Sequence, residues 1–275
     1  MRVDREMPNA AYHASEAVSK SHLDAINRSP RHYWAKYLDP NRAEDTPTPA
    51  MLMGSAVHMA VLEPDLFVGR YVQAPAGIDK RTKDGKAAWA DFEASVGDRL
   101  VLNADEYQQC IAIRDAVRGH EVAAKLLDGG EAEVSYFVDD EQTGLPLKAR
   151  PDFRNAQNIV VDLKTTEDAG PSAFGKSSAN FRYHVQAAWY SDIVAECVGE
   201  NVPWFFFVVV EKKPPYAVGL YYCEPDVLAL GRKIARRNLD AIARFREAGN
   251  WPDYADEPQP LRLPKWALLD EEAPV

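Results

Sequence analysis

The stretch from residue 131 to residue 166 constrains the fold more than any other part of this 275-residue chain. Apolar and polar residues alternate at 131–139, 146–153 and 159–164, and short polar turns separate the three segments. Alternation with a period of two is typical of β-strands, and turns this short favour antiparallel neighbours. The stretch therefore predicts a three-stranded antiparallel meander.

Helical patterns lie on both sides of this meander. The region before it, at about 12–127, is interpreted as a mainly helical N-terminal part, and its apolar segment 50–62 predicts a buried helix. The patterns after it predict an amphipathic helix, a hairpin of two strands and a long helix: 183–198, 204–210 with 217–222, and 226–248. This order predicts an α/β fold with a mixed β-sheet flanked by helices.

The length and the element order predict a single domain over residues 1–250, with its catalytic core at about 131–248. Residues 1–18 are expected to form an irregular arm. The segment 251–275 is rich in proline and acidic residues and is expected to be a loosely ordered tail.

Charge and cysteine content exclude several classes of protein. A net charge of −10 argues against non-specific cationic binding to nucleic acid, although a small basic groove can sit on an acidic body. The cysteines Cys110, Cys197 and Cys223 are far apart and form no CxxC pair. This spacing argues against a disulfide framework, a structural zinc site and a four-cysteine iron–sulfur cluster.

The expected location is the cytoplasm. The first residues contain no apolar core of a signal peptide, and the longest apolar run, 204–210, is too short to span a bilayer. We therefore expect a soluble intracellular protein with no membrane partner.

The most informative polar residues are Asp152, Asp162 and Lys164. Asp162 and Lys164 are two residues apart on a predicted strand and so share a face, and an antiparallel neighbour can bring Asp152 close to them. Two carboxylates beside a lysine suit Mg²⁺-dependent phosphodiester hydrolysis, because the cation binds carboxylate oxygens and activates water while the ammonium stabilises developing charge. Solvated charges on a hairpin would give the same pattern, so a structural role stays open at this point.

Short motifs taken together, in chain order, resemble the PD-(D/E)XK nuclease superfamily, and within it the branch of RecB-type, lambda-type and RecE-type exonucleases. The closest resemblance in spacing and order is to the RecE-like nuclease domain, over roughly residues 12–250. Asp162 stands where the superfamily consensus has glutamate. The residues that carry the resemblance are Ser29-Pro30-x-x-Tyr33, Gly54-x-x-x-His58 followed by Leu62-Glu63-Pro64, Glu133, Arg150-Pro151-Asp152, Asp162-Leu163-Lys164-Thr165-Thr166 and Gln186-x-x-x-Tyr190.

The resemblance implies a PD-(D/E)XK restriction-endonuclease-like core and a Mg²⁺ cofactor that Mn²⁺ can replace. The implied metal ligands are His58, Asp152, Asp162 and the carbonyl of Leu163. A histidine in an apolar helix is more often a core residue, so packing is the alternative for His58.

The resemblance makes Lys164 the catalytic lysine and Glu133 an acid that binds a second metal or positions water. Glu131 is the alternative to Glu133, since residues two apart on a strand face the same way. Gln186 and Tyr190 share a helix face at i and i+4, and the resemblance places both at the active site, in contact with the DNA backbone. Helix packing is the alternative for this pair.

Further candidates for DNA contact are polar residues near these motifs. The hydroxyls of Thr165 and Thr166 can donate to a phosphate, although β-propensity alone explains threonines in a strand. Arg31 follows a proline at a possible helix start and can hold a 5′-phosphate there, with a plain surface position as the alternative. Either Arg150 or Lys148 is expected to approach DNA.

The resemblance implies a Mg²⁺-dependent exodeoxyribonuclease. It would degrade one strand of linear double-stranded DNA, 5′ to 3′, and leave 3′ overhangs for annealing-type recombination in a bacterial host, as a phage or prophage function. The implied partners are DNA ends, a single-strand annealing protein and further copies of the chain in a homo-oligomeric ring. The alternatives are a PD-(D/E)XK endonuclease and a catalytically inactive DNA-binding scaffold.

Overall fold

This computed structural model describes residues 1–42, 46–255 and 257–263, which form both strands and helices. The strands are β1 (Arg2–Asp4), β2 (Tyr71–Gln73), β3 (Leu100–Leu102), β4 (Gly130–Ala132), β5 (Ser135–Asp139), β6 (Pro146–Ala149), β7 (Phe153–Asn155), β8 (Val160–Thr166), β9 (Phe205–Glu211) and β10 (Val218–Tyr222). The helices are α1 (Asn9–Ala14), α2 (Lys20–Arg28), α3 (Pro30–Tyr37), α4 (Pro49–Leu62), α5 (Pro64–Arg70), α6 (Lys83–Val96), α7 (Ala104–Gly119), α8 (Glu121–Leu126), α9 (Pro171–Asn180), α10 (Tyr183–Val198) and α11 (Pro225–Ala248).

A mixed sheet in the order β10-β9-β8-β7-β4 forms the centre of the structure. Strands β8 and β9 run parallel, whereas β10–β9, β8–β7 and β7–β4 are antiparallel pairs. A second sheet, β1-β5-β6, is antiparallel, and β2 pairs with β3 in parallel. The predicted α/β fold with a mixed sheet flanked by helices is confirmed.

Each face of the central sheet carries its own hydrophobic core. The period of two along β8 sends Val160 to a core shared with α10 and α11, and it sends Val161 and Leu163 to a core shared with α4 and α7. Asp162 and Lys164 have the parity of Val160, so they face α10. The alternation that sends apolar side chains of β8 to the two cores therefore also directs Asp162 and Lys164 towards α10.

The predicted meander is wrong as a single sheet. The segment 131–139 is interrupted at Glu133, whose φ of +52° lies in the left-handed region, and β4 and β5 then join different sheets. The segment 146–153 is interrupted at residues 150–152, which include Pro151, so that β6 lies in the smaller sheet and β7 in the central one. A left-handed residue turns the chain sharply, which strict alternation in the sequence does not reveal.

The prediction of an irregular arm at residues 1–18 is also wrong. This N-terminal segment contains β1, which pairs with β5, and α1. The buried ammonium of Lys148 on β6 donates to the carbonyls of Tyr12 at 2.6 Å and Ser15 at 2.9 Å. The segment is therefore fixed to the body of the protein by long-range contacts.

The remaining elements largely follow the sequence patterns. The buried helix, the amphipathic helix, the hairpin and the long helix appear as α4, α10, β9–β10 and α11. In the described part of the predicted tail, 251–255 and 257–263, the chain adopts no helix or strand, and residues 256 and 264–275 lie outside the described residues. Among the described helices, none combines the length and the apolar character that crossing a bilayer requires.

Candidate active site

The pairing of β7 with β8 brings the two aspartates together. Phe153 lies opposite Val161, so the register continues with Asp152 opposite Asp162. The carboxylate of Asp152 accepts a hydrogen bond of 2.6 Å from the backbone N–H of Leu163, and its carbonyl accepts one of 3.1 Å from the N–H of Glu133. Backbone contacts to two different segments therefore fix Asp152.

Asp162 lies fully buried between the sheet and α10. The ammonium of Lys164 forms an ion pair with its Oδ1 atom, at a contact that lacks hydrogen-bond geometry. The side-chain amide of Gln186 donates to the Oδ2 atom at 2.6 Å. Tyr190 lies one turn further along α10, and burial raises its pKa well above the ordinary value, with smaller contributions from Tyr12 and Asp162. The helix face predicted from the i, i+4 spacing therefore points at the catalytic candidates.

Three side chains have the geometry of a metal site. His58 on α4, Glu133 and Asp152 each offer one ligand atom, and these atoms lie within 4.8 Å of one another. The Nδ1 atom of His58 is 3.5 Å from Oδ2 of Asp152. Carboxylate oxygens and an imidazole nitrogen are ligands that suit Mg²⁺ or Mn²⁺. Asp162 is not one of these three residues, and its predicted role as a metal ligand, like that of the Leu163 carbonyl, stays a prediction.

Excess negative charge supports the interpretation as a cation site. Burial and the neighbouring Asp152 raise the pKa of Glu133 to about 8. The same two causes raise the pKa of Asp162 to about 6. Burial also raises the pKa of Glu63, which follows α4 and adds to the repulsion on Glu133. Clustered carboxylates that repel one another in a half-buried site are what a divalent cation compensates, so the donor set fits the metal that the fold implies.

Lys164 remains an ammonium group in this environment. Burial alone would lower its pKa, but the carboxylates of Asp162 and Asp152 outweigh burial and raise the pKa overall. The ammonium also lies 4.7 Å from the centre of the Tyr183 ring. A charged lysine can stabilise negative charge or orient water, but it does not serve as a base.

The structure distinguishes Glu133 from its alternative, Glu131. The carboxylate of Glu131 binds the guanidinium groups of Arg5 at 2.5 Å and Arg154 at 3.0 Å. The hydrogen bond from Arg5 is the main reason that the pKa of Glu131 is lowered. The left-handed turn at Glu133 breaks the strand parity, so the two glutamates do not face the same way.

A cavity of about 530 Å³ opens beside these residues. Lys164, Gln186 and Tyr190 line one side of it, and Tyr12 and Lys20 from the N-terminal part line another. The volume lies in the ordinary range for a ligand site. The cavity places the lysine of the polar pair within reach of a bound molecule.

The two arginines predicted to contact DNA, Arg31 and Arg150, do not line the described cavity. Arg150 is 8% exposed, and its guanidinium donates to the hydroxyl of Ser135 at 2.6 Å and to the carbonyl of Met7 at 2.9 Å. It therefore holds the N-terminal segment and is not free to bind DNA. Arg31 is exposed on α3, where its guanidinium lies over the Trp34 ring at 4.7 Å, and it is outside the set of described residues that line the cavity.

Thr165 and Thr166 lie at the end of β8, just beyond Lys164. Both are half-buried, and the hydroxyl of Thr166 donates to the carbonyl of Asp168 at 3.2 Å. Neither belongs to the described lining of the cavity. Their predicted contact with a phosphate stays a prediction.

Several residues at the site were not identified from the sequence. Tyr12, Lys20, Phe181 and Arg182 line the cavity, but they lie in segments without a recognisable motif. Glu63 belongs to the Leu62-Glu63-Pro64 motif of the resemblance, but the sequence predicted no role for it. Its charge was informative only once Glu133 was known to lie nearby.

Comparison with known proteins bears on the family and the fold of this chain. A family model described as a PDDEXK-like domain of unknown function (DUF3799) matches residues 19–264. A crystal structure from Eubacterium rectale, described as a "putative exonuclease", is similar with a TM-score of 0.64 at 19% identity, covering 98% of this chain and 99% of that one. The crystal structure of SSO0001 covers 80% of this chain and 82% of its own at 12% identity, but its TM-score of 0.29 carries no argument. No curated protein sequence matches. The family match confirms the PD-(D/E)XK resemblance, and the similar crystal structure shows the same fold.

Proposed function

Because this chain belongs to the PDDEXK-like family DUF3799, we propose that it is a Mg²⁺-dependent exodeoxyribonuclease that digests one strand of linear double-stranded DNA, 5′ to 3′. The observation that carries this proposal is the convergence of Asp152, Asp162 and Lys164 with His58 and Glu133 beside the cavity. Lys164 lines the cavity, and it contacts Asp162, which lies opposite Asp152 in the sheet. Acids and a histidine grouped behind a charged lysine suit the hydrolysis of a phosphodiester.

His58, Glu133 and Asp152 are the residues that would hold the cation. When bound, a divalent cation activates water and neutralises charge on the phosphate. Lys164 contributes its ammonium group at the cavity wall, where it donates to a phosphate oxygen as negative charge develops. Gln186 keeps the carboxylate of Asp162 oriented through its 2.6 Å hydrogen bond, and Asp162 in turn holds the ammonium in place.

Local charge at the cavity suits a DNA backbone despite the net charge of −10. Lys20 and Arg182 line the cavity and both pair with the single carboxylate of Asp24, at 2.7 Å and 2.9 Å. Two cations that share one carboxylate leave a net positive charge there. Such a local charge attracts phosphates even on an acidic protein.

The proposal is tested with linear duplex labelled at either the 5′ or the 3′ end, in the presence of Mg²⁺. We expect early release of the 5′ label, retention of the 3′ label and resistance of closed circular duplex of the same sequence. Cleavage of the circle would favour an endonuclease, and equal digestion by wild type and Lys164→Met would refute the site. A wild type inert in both Mg²⁺ and Mn²⁺ would favour a DNA-binding scaffold.

We also propose the assembly and partner that the sequence resemblance implies. A homo-oligomeric ring around duplex DNA would leave 3′ overhangs for a single-strand annealing protein. Light scattering coupled to size-exclusion chromatography measures the mass of the protein with and without duplex. A monomer under both conditions would contradict the ring.

A further inference from the structure

A large aromatic side chain is exposed at the edge of the catalytic cavity. Phe181 follows α9 and is 59% exposed, yet it lines the same cavity as Lys164. Isolated apolar residues are common on protein surfaces and do not by themselves indicate a binding site. Phe181 differs because it borders a cavity that Lys20, Lys164 and Arg182 also line, so its exposed apolar ring lies beside cations that can bind phosphates.

The backbone of Phe181 is held firmly on both sides. Its N–H donates to the carbonyl of Ser177 at 2.9 Å, and its carbonyl accepts a hydrogen bond of 2.7 Å from the ammonium of Lys20. The next residue, Arg182, has a left-handed φ of +56°, and its guanidinium donates to the carbonyl of Leu23 at 3.1 Å. The exposed ring is therefore presented by a fixed turn and does not sit at the end of a loose loop.

Aromatic contacts connect this ring to the catalytic lysine. Phe181 stacks on Tyr183 with ring centres 5.7 Å apart and planes 24° from parallel. The Tyr183 ring in turn lies 4.7 Å from the ammonium of Lys164. One face of the Phe181 ring is thus supported by protein, and the ring is a single aromatic neighbour away from the group proposed to contact phosphate.

Positive charge and aromatic rings in one groove are the combination by which proteins hold single strands. The cations track the phosphates, and the rings stack on the bases. We propose that Phe181 is a stacking platform for the nucleobase of the nucleotide whose phosphate lies at Lys164. This inference rests on the proposed function and deepens it by specifying an unpaired or terminal nucleotide as the preferred substrate.

The preference follows from how bases are arranged in a duplex. Inside a helix both faces of a base are covered by its neighbours, so a protein ring cannot reach them without unstacking the helix. A terminal or unpaired base leaves one face free. A platform at this position therefore makes strand ends better ligands than internal positions.

Kinetics of substituted proteins test the proposal. Because Phe181 is exposed, we expect Phe181→Ala and Phe181→Leu to keep the melting temperature of the wild type. On linear duplex, kcat/KM should fall about 10-fold in both variants, since stacking on one base accounts for a change of that order. Phe181→Trp should restore it. Tyr222→Ala is the control, since Tyr222 is 54% exposed but lies outside the described lining of the cavity.

A substrate with an abasic terminal nucleotide distinguishes a loss of base stacking from a change in the shape of the cavity. Wild type should lose about 10-fold in kcat/KM when the terminal nucleotide is abasic, whereas Phe181→Ala should lose nothing further. Equal additional losses in both proteins would overturn the proposal, as would full activity of Phe181→Leu.

A binding measurement keeps the inference independent of catalysis. With Ca²⁺ in place of Mg²⁺, wild type and Tyr222→Ala should quench 2-aminopurine placed at the duplex terminus, and Phe181→Ala should not. If wild type cleaves no DNA, the proposed nuclease fails, but selective quenching would still support the platform. Identical fluorescence with wild type and Phe181→Ala, or no binding by wild type, would overturn it.

Discussion

Replacing Glu133 by glutamine should stabilise the metal-free protein at pH 8. Burial and the neighbouring Asp152 raise the pKa of Glu133 from 4.5 to about 8. The folded state therefore binds this proton more tightly than the unfolded state does. The resulting stability is fully present below pH 4.5 and is lost as the pH rises to about 8. Glutamine has nearly the same size but cannot ionise, so it avoids that loss.

The pKa shift sets an upper limit on the gain in the free energy of unfolding, and the expected gain is smaller. Each pKa unit corresponds to about 1.4 kcal/mol, so the difference between 4.5 and about 8 sets a ceiling of about 5 kcal/mol for Glu133. Glu133, Asp152 and Asp162 repel one another, so one proton bound by any of them lowers the repulsion on all three. We therefore expect a gain of about 2 kcal/mol in the free energy of unfolding, or about 4–8 °C in Tm for a domain of this size.

Thermal melts in EDTA between pH 5 and pH 8 measure this change. The matched control is Glu131→Gln, two residues away, because the hydrogen bond from Arg5 lowers the pKa of Glu131 and its removal should not stabilise the protein. Mn²⁺ should raise the Tm of wild type more than that of Glu133→Gln, since it compensates the ionised carboxylate. A Glu133→Gln protein that melts below wild type at pH 8, or a difference that is the same at pH 5 and pH 8, would refute the reasoning.

Other substitutions test the remaining contacts. Lys164→Met should lower turnover of linear duplex at least about 100-fold in a gel assay while the circular dichroism spectrum is kept, and more than a tenth of wild-type activity would contradict its role. Gln186→Leu leaves Asp162 Oδ2 without its donor, so kcat should fall about 10-fold with little change in KM. Lys148→Met removes the ammonium donor from the carbonyls of Tyr12 and Ser15, so unfolding in urea should show a loss of about 1–3 kcal/mol, and unchanged stability would show that the tether is unimportant. Removal of divalent cations with EDTA should abolish cleavage, and an excess of Mg²⁺ should restore it.

The local part of the site could be predicted from the sequence. Asp162 and Lys164 share a face because a strand has a period of two, and Gln186 and Tyr190 share one because a helix brings i and i+4 together. Both relations depend only on neighbours in the chain. The structure places Asp162 in direct contact with both Lys164 and Gln186.

The rest depends on contacts that local patterns do not encode. Glu133 adopts a left-handed conformation that is uncommon for a glutamate, so its strand was assigned too long. Lys148 donates to carbonyls 136 and 133 residues earlier in the chain, which no periodicity indicates. The sequence alone does not tell whether Arg150 and Phe181 are exposed or buried. Tertiary packing buries the arginine and leaves the phenylalanine exposed.

The two backbone hydrogen bonds of Asp152 make its position depend on correct strand pairing. Its carboxylate and carbonyl are bonded to backbone groups of two flanking segments, so the aspartate is correctly placed only when both alignments are native. A slip of β7 by one residue would turn this side chain to the opposite surface. Molecules with a misaligned sheet would then lack a complete metal site. The fraction of a preparation that binds Mn²⁺ would therefore measure the fraction of molecules whose strands are correctly paired.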